Sequence, residues 1–353
     1  MNDIPKTQKA IWVQNPGPNG TVALRSDIPT PQPGDGEMLV KIQYSGICGS
    51  DLRNLHGMSK YTSIPGHEGV GTVVQLGPNV SSWYLHRRVG IKWVWRSCGS
   101  CSLCRKGEVN HCPAQLNTSR SVHGTLQEYA LARPEFSNLI PEALRSEDAA
   151  PLLCAGHTLA GAVSKLDRLG RGDAVVVLGA GGGLGHLGVQ MVKMDERGLK
   201  VIAVDAGEEK GMLCRELGAE EYINIESESD IETRVKELTD GEGAQGVIIV
   251  SGAEEAFRLA PRLVRNGGTI VVVGLPRNDF QFPMAPIEIS ARGLTVIGTS
   301  VGTEKQMEEL LESAARGLVV PRIEVYALED APRAFEKLVK GEVVGRCVVR
   351  VSE

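Results

Sequence analysis

The chain has 353 residues, which is more than one small hydrophobic core can organise, so we expect two or three domains. Its 38 basic and 43 acidic side chains leave a net charge of −5 without any block of lysine or arginine, a pattern that argues against binding to nucleic acid or anionic lipid. It contains no run of about 18 apolar residues that could cross a membrane, and its first residues, MNDIPKTQKA, lack the apolar core of a secretory signal, so we expect a cytoplasmic protein with no membrane partner.

The first part of the chain is predicted to be rich in β-strand. Segments 38–47, 69–77 and 126–133 contain clustered or alternating β-forming residues between glycine and proline breaks. Residues 29–37, PTPQPGDGE, are predicted to form a turn-rich connector. A β-rich domain is therefore expected before about residue 150.

From about residue 158 onward, apolar strands alternate with helical segments. This alternation predicts βαβ units and a parallel sheet that is buried on both faces. Helices are also predicted at residues 303–316 and 330–340, close to the end of the chain. The runs predicted to contain strands are DAVVVLGAGGG, LKVIAVD, AQGVIIVSG, GGTIVVVG, GLTVIGTS, RIEVYAL and GRCVVRVS.

A glycine-rich turn, VVVLGAGGGLG at residues 175–185, joins the first of these strands to a helix. Glycines there allow a tight turn and let a pyrophosphate approach the N–H groups at the start of the helix. The match to G-x-G-x-x-G is imperfect, because Ala180, Gly182 and Gly185 occupy its three glycine positions. A plain strand-to-helix turn is the alternative, but the strand before and the helix after favour dinucleotide binding.

An acidic residue, Asp205, ends the next strand, at the distance where a ribose-binding carboxylate is expected. Such a carboxylate accepts hydrogen bonds from both ribose hydroxyls and repels a 2′-phosphate, so the sequence favours NAD over NADP. Lys210 either assists at the ribose or is an ordinary solvated lysine on a helix.

Four cysteines lie close together in the segment SCGSCSLCRKGEVNHC. Four thiolates can close a tetrahedral structural zinc site that leaves no position for a substrate. Ligation of an iron–sulfur cluster and disulfide pairing are the alternatives, disfavoured by the spacing and by the expected reducing compartment. We therefore predict structural zinc at Cys98, Cys101, Cys104 and Cys112.

Cys48, His67 and Cys154 form a second possible metal site. Each of these residues alone is more often an ordinary core or surface residue. Together, two thiolates and one imidazole are the three-ligand set of a catalytic zinc with an open fourth position. Ligands of this kind come together from separate loops, so their distance in the sequence is no obstacle.

The order of motifs along the chain resembles that of zinc-dependent medium-chain alcohol dehydrogenases, and the yeast-type branch is closest. The resemblance implies an α/β protein with a GroES-like catalytic domain at residues 1–156, in which the zinc lobe occupies about 95–113. A Rossmann NAD-binding domain with a doubly wound parallel sheet is implied at 157–293, and a return to the catalytic domain at 294–353. The motifs are GICGSDLRNLHG, IPGHEGVGTVVQLG, GIKW, the four-cysteine lobe, APLLCAGHT, LGAGGGLGHLGVQ, VIAVDAGEEK and GRCVVR.

The resemblance also implies roles around the catalytic zinc. Glu68 is implied to be a carboxylate beside the metal or an occasional ligand, and Asp51 a carboxylate that orients the imidazole ligand. Ser50 is implied to accept the proton of the alcohol, although a turn serine is the alternative. Trp93 is implied to form a wall of the pocket, with ordinary core burial as the alternative. The implied zinc ligands are Cys48, His67 and Cys154.

Nicotinamide is implied to contact Thr158, and Arg346 is implied to contact either the pyrophosphate or the acid near zinc. The remaining cofactor-binding residues are expected in the glycine turn and after the strands that follow it. They are Gly179, Gly181, Gly182, Gly183, Leu184, Gly185, Asp205, Lys210, Ser251, Gly274, Leu275, Ser300 and Val301.

The sequence departs from the family pattern in three places. Arg53 replaces the histidine that ends the proton relay in yeast-type enzymes, and because arginine stays charged, the relay must end in water or at His56, for which a plain loop histidine is the alternative. Gly49 replaces a cation that contacts pyrophosphate. The segment before His67 is shorter and lacks a tryptophan that narrows the pocket, and Tyr61 is its nearest aromatic residue, so we expect substrates bulkier than ethanol to be admitted.

The predicted activity is reversible hydride transfer between a primary or secondary alcohol and NAD, with two zinc ions per chain. A sorbitol-type polyol dehydrogenase is the alternative within enzymes, because CGSD also occurs in that branch. A catalytically silent NAD-binding protein is the alternative outside enzymes, and the intact ligand set argues against it. The resemblance further implies a homo-oligomer, either a tetramer or a dimer.

Overall fold

The computed structural model describes residues 4–352 and divides the chain into two compact units. The inserted unit is Gly156–Gly302, and the flanking unit consists of the chain up to Ala155 and from Thr303 onward. The inserted unit extends beyond residue 293, where the sequence placed its end. The reason is the strand Thr295–Gly298, which pairs in parallel with a strand of the inserted sheet and therefore belongs to it.

The flanking unit is built around a seven-stranded sheet. Its central strand, Met38–Gly46, pairs antiparallel with Gly69–Leu76, with Tyr129–Ala132 and with the terminal strand Arg346–Arg350. Valine and isoleucine side chains of these strands are fully buried in one hydrophobic core. The strands of this sheet are Met38–Gly46, Gly69–Leu76, Arg88–Ile91, Tyr129–Ala132, Ser137–Leu139, Ile323–Ala327 and Arg346–Arg350. Two separate two-stranded sheets pair Thr7–Gln14 with Thr21–Pro29 and Val94–Arg96 with Leu116–Asn117.

The helices of the flanking unit are short, apart from the helix that follows the return of the chain at Thr303. That helix begins with a capping box in which Thr303 and Gln306 exchange side-chain-to-backbone hydrogen bonds. The α-helices are Asp51–Leu55, Ser102–Arg105, Ser146–Pro151, Glu304–Ala315 and Ala331–Val339, and the 3₁₀-helices are Ser82–Tyr84, Val109–His111, Pro134–Phe136 and Leu328–Asp330.

The inserted unit is a six-stranded parallel sheet with helices between its strands. Its first strand, Ala174–Leu178, is completely buried and lies between Lys200–Asp205 and Ala244–Ile249. The strand order, counted along this unit, is 3-2-1-4-5-6, which is the order of a doubly wound dinucleotide-binding fold. The strands are Ala174–Leu178, Lys200–Asp205, Glu221–Asn224, Ala244–Ile249, Val264–Val272 and Thr295–Gly298, and the helices are His157–Ser164, Gly185–Lys193, Glu208–Glu216, Ile231–Glu237, Glu254–Leu263 and Pro286–Arg292.

The order of the parallel strands creates a switch point between the first and fourth strands of this unit. Ligands of such sheets bind beyond the carboxyl ends of the strands at that point. Within residues 4–352, no helix is both long enough and apolar enough to cross a lipid bilayer.

Candidate active site and cofactor-binding loop

Cys154 lies on an irregular helical turn of the flanking unit. The helix Ser146–Pro151 continues into a π-helical turn at Leu152–Gly156 before regular α-helix resumes at His157. A π turn holds one residue more than an α turn, and such turns occur frequently at functional sites. Here it presents the Cys154 thiol to two residues that come from distant loops.

The thiols of Cys48 and Cys154 and the imidazole of His67 converge in the flanking unit. The two Sγ atoms are 3.9 Å apart, and His67 Nε2 is 3.3 Å from Cys154 Sγ. With a carboxylate oxygen of Glu68 included, all four donor atoms lie within 4.8 Å of one another. Ligand atoms in a tetrahedral site with zinc–sulfur bonds of about 2.3 Å are about 3.8 Å apart, so this donor set fits a zinc ion.

Asp51 connects the loop that carries Cys48 to the loop that carries His67. Its Oδ2 accepts a hydrogen bond of 2.9 Å from the Cys48 backbone N–H, and its Oδ1 accepts one of 3.0 Å from Gly66 N–H. The same Oδ1 lies 3.5 Å from His67 Nδ1. The imidazole therefore turns Nδ1 toward a carboxylate and Nε2 toward the thiols, which is the orientation that a metal ligand needs.

The two thiols near His67 differ in pKa, and the shifts have opposite directions. A hydrogen bond from Cys154 lowers the pKa of Cys48 well below its ordinary value, although burial opposes the shift. The same hydrogen bond, together with burial, raises the pKa of Cys154. One thiolate is thus favoured before any cation binds, and a cation would favour the second.

Glu68 and Arg346 form a buried ion pair beside the three ligands. Burial raises the pKa of Glu68 to about 7, against the opposing charge of Arg346. Among residues 4–352, the other oxygen, Oε2, finds no hydrogen-bond partner, and a Cβ at Gly46 would lie only 1.9 Å from it. Of the two contacts that the resemblance implied for Arg346, the structure contains the one with the acid.

The structure brings Ser50 and Trp93 to the same imidazole. Ser50 Oγ is 3.4 Å from His67 Nε2. The Trp93 ring meets the His67 ring edge to face, with centroids 5.3 Å apart and an angle of 74° between the planes. His56 is half-buried at the end of the helix Asp51–Leu55.

The four-cysteine lobe gathers its thiols around the short helix Ser102–Arg105. Cys104 Sγ lies 3.9 Å from Cys98 Sγ and 3.5 Å from Cys101 Sγ, and all four sulfurs, including that of Cys112, lie within 4.8 Å of one another. Every cysteine is a free thiol, so disulfide pairing in this lobe is not observed. The arrangement fits a zinc ion with no open position.

The glycine turn of the inserted unit is tight at two points. Gly179 has a φ of 92°, and a Cβ at Gly185 would lie 2.0 Å from the Gly179 carbonyl oxygen. Asp205 Oδ2 accepts a hydrogen bond of 2.9 Å from Gly181 N–H, and Lys210 Nζ is 3.1 Å from Asp205 Oδ1. The structure thus places the predicted ribose carboxylate directly beside the turn.

Apart from Thr158, the other predicted cofactor residues of this unit lie just beyond the carboxyl ends of its parallel strands. Ser251 follows Ala244–Ile249, and a Cβ at Gly274 would lie 2.0 Å from the Ser251 carbonyl oxygen. Thr158 is buried on the helix His157–Ser164. Beyond the strand ends lie also Gly182, Gly183, Leu184, Leu275, Ser300 and the buried Val301.

Comparison with known proteins identifies the family. Residues 34–142 match the alcohol dehydrogenase GroES-like domain, and residues 183–316 match the zinc-binding dehydrogenase domain. An alcohol dehydrogenase of Geobacillus stearothermophilus is 39% identical over 93% of this chain and 95% of its own length. Alcohol dehydrogenase 1 of Emericella nidulans is 37% identical over 97% of this chain and 98% of its own. The chain belongs to the zinc-dependent medium-chain alcohol dehydrogenases.

Membership of the zinc-dependent medium-chain alcohol dehydrogenases confirms the resemblance seen in the sequence, and the structure confirms the predicted fold class. Acetophenone reductase from Geotrichum candidum, solved in complex with NAD, has a TM-score of 0.84 and 27% identity over 99% of this chain and 98% of its own. Sequence reasoning did not detect the π turn at Leu152–Gly156, because no residue type specifies it.

Proposed function

We propose that this protein catalyses reversible hydride transfer between a primary or secondary alcohol and NAD, with catalytic zinc at Cys48, His67 and Cys154. The observation that carries this proposal is the convergence of two thiols and one imidazole, two of the three buried, with carboxylates behind them. A zinc ion held there would supply a Lewis acid that favours loss of the hydroxyl proton of the alcohol.

The surrounding side chains have separate tasks in this proposal. Asp51 keeps His67 Nε2 directed at the metal position. Ser50 Oγ, next to the same nitrogen, receives the hydroxyl proton of the alcohol. Arg53 cannot pass that proton on, because a guanidinium offers hydrogen-bond donors and no acceptor, so water or His56 ends the relay.

NAD rather than NADP is the proposed cofactor. The Asp205 carboxylate beside the glycine turn accepts hydrogen bonds from a ribose diol and repels a 2′-phosphate. The proposed pyrophosphate position lies at the start of the helix Gly185–Lys193, where the helix dipole favours an anion.

Alcohols are proposed ahead of polyols, because the curated relatives are named alcohol dehydrogenases and the four-cysteine lobe is complete. The shortened loop before His67 also supports substrates bulkier than ethanol. A homo-oligomer, either a tetramer or a dimer, is proposed on family membership, and light scattering of the purified protein measures it.

The test is a panel of ethanol, a secondary alcohol, an aromatic alcohol and sorbitol with NAD and NADP, run beside a zinc assay. We expect two zinc ions per chain, NAD-dependent oxidation of the alcohols, and higher kcat/KM for the aromatic alcohol than for ethanol. The matched control is Cys154→Ser, which keeps the shape of the side chain but should retain one zinc and lose activity. Sorbitol as the best substrate, or full activity without zinc, would overturn the proposal.

A further inference from the structure

Lys92 is a fully buried lysine in the flanking unit, and none of the roles above uses it. It lies between the strands Arg88–Ile91 and Val94–Arg96 and is 2% exposed. Its Nζ donates to Asn138 Oδ1 and to Glu304 Oε2, both at 2.6 Å. Buried lysines are rare in proteins and occur where the charge is paired.

The positive charge of buried Lys92 is paired with the negative charge of Glu304. Burial lowers the pKa of Lys92, and Glu304 opposes this shift through its charge and its hydrogen bond. Glu304 is the first residue of the helix Glu304–Ala315, where a carboxylate also interacts favourably with the helix dipole. The capping box at Thr303 fixes that helix end, so the acceptor for Lys92 is held in place.

The main chain at Lys92 leads directly to the proposed active site. The Lys92 carbonyl oxygen accepts a hydrogen bond of 2.7 Å from Thr118 Oγ1, and the Trp93 carbonyl oxygen accepts one of 2.9 Å from Thr118 N–H. The next side chain, Trp93, packs edge to face on His67. Lys92 therefore anchors one side of the short connection that carries Trp93, and Thr118 anchors the other.

We propose that Lys92 is a positioning residue, whose buried contacts with Glu304 and Asn138 fix the Trp93 ring against the His67 imidazole. Trp93 would then set the wall of the substrate pocket, and Lys92 would act on substrate choice through it. This inference rests on the proposed alcohol dehydrogenase function, but its geometric part can be measured separately.

The test compares Lys92→Met and Glu304→Gln with the wild-type protein. Methionine keeps the length of the lysine stem and removes the ammonium group. Glu304→Gln keeps an acceptor oxygen and removes the charge, and the partly exposed Glu304 site makes this variant a mild change. The matched control is Lys9→Met, because Lys9 pairs with Glu329 at 2.9 Å on the exposed surface of the same unit.

Four properties are measured for each variant: zinc content, melting temperature, kcat and KM for a small and an aromatic alcohol, and the visible spectrum after cobalt replaces catalytic zinc. We expect Lys92→Met to keep two metals per chain and to lose about 10- to 100-fold in kcat/KM for the aromatic alcohol, as misplacement of a positioning group typically does. The loss for ethanol should be smaller, and the cobalt bands should shift. Glu304→Gln should show a weaker form of both effects, and Lys9→Met neither.

A purely structural ion pair would lower the melting temperature and leave the ratio of kcat/KM values and the cobalt spectrum unchanged, which would overturn the proposal. If Lys92→Met does not fold, Glu304→Gln decides on the same two readouts. If the wild-type protein oxidises no alcohol, the proposed function fails, and the cobalt spectra alone decide whether Lys92 positions the ring beside His67.

Discussion

The two cysteine-containing clusters of the flanking unit are built in opposite ways. The lobe takes four thiols from one short segment, and local hydrogen bonds support them, such as that of 3.3 Å from Cys101 N–H to Cys98 Sγ. The Cys48–His67–Cys154 cluster takes its donors from three distant segments and buries most of them. Its sulfur and nitrogen donors are backed by two carboxylates and a buried arginine.

This difference shows what an open metal site requires of a fold. Four thiols saturate a zinc ion, and three of them are at least partly exposed to water, which screens their charge, so the lobe needs few fixed charges from the rest of the protein. Three donors, two of them buried, leave a coordination position free, but charge in such a site must be balanced by fixed groups. Asp51, at the start of the helix Asp51–Leu55, and Arg346, on the terminal strand of the sheet, supply those groups.

The largest expected effect comes from His67→Ala. Removal of one catalytic ligand should lower kcat/KM for alcohols by about 1,000-fold or more, because a Lewis acid contributes several kcal/mol to the barrier. Metal content should fall from two to one per chain. Steady-state kinetics and a zinc assay measure both. A variant that kept two zinc ions and its activity would show that the Cys48–His67–Cys154 cluster is not the catalytic metal site.

Asp51→Asn should have the next largest effect. The amide removes the negative charge that faces His67 Nδ1 and replaces an acceptor with a donor, so we expect about 10- to 100-fold lower activity or metal affinity. Zinc titration with a competing chelator measures the affinity. Zinc in the lobe should be unaffected, and equal loss from both sites would contradict this assignment.

Cys112→Ser should affect stability more than catalysis. Cys112 is the buried member of the lobe, and its loss should release one zinc ion and lower the melting temperature. The kcat per folded molecule at 25 °C should change by less than about 3-fold, because a closed site makes no contact with substrate. Calorimetry and active-site titration separate the two effects, and a kcat loss as large as that of His67→Ala would place the lobe in the chemistry.

Ser97→Ala should have the smallest effect. Ser97 Oγ lies 3.5 Å from Cys104 Sγ near the surface, and a hydrogen bond there contributes about 1 kcal/mol at most. We expect a melting temperature lower by about 2 °C and faster release of lobe zinc to a chelator, with kcat unchanged. Faster release of catalytic zinc instead would show that the two sites are coupled.

The sequence was sufficient for features that repeat or cluster locally. Short apolar runs between helical segments predicted most strands of the inserted sheet. The strand Glu221–Asn224 was not predicted, because it is short and mostly polar. The four-cysteine spacing indicated its site directly. The ligands Cys48, His67 and Cys154 could be proposed as one set from their ligand chemistry and from the family resemblance, but their approach could not be predicted, because it depends on tertiary structure.

The burial of Lys92 and the contact of Arg346 could not be predicted from the sequence. The physical reason is the same for both, because each depends on residues that lie far away along the chain. Lys92 looks like any surface lysine in the sequence, since its burial depends on Asn138 and Glu304, which lie far along the chain. Arg346 was implied to have two alternative contacts, and only the folded sheet places its guanidinium beside Glu68.

The wide turn at Leu152–Gly156 makes the number of residues in this stretch as important as their identity. Each residue advances an α-helix by about 100°, so deleting one residue here would convert the turn to regular helix and swing either Cys154 or the flanking helices by about that angle. A thiol on the wrong side of the helix cannot reach its partners. Relatives should therefore tolerate exchanges around Cys154 far better than single-residue gaps.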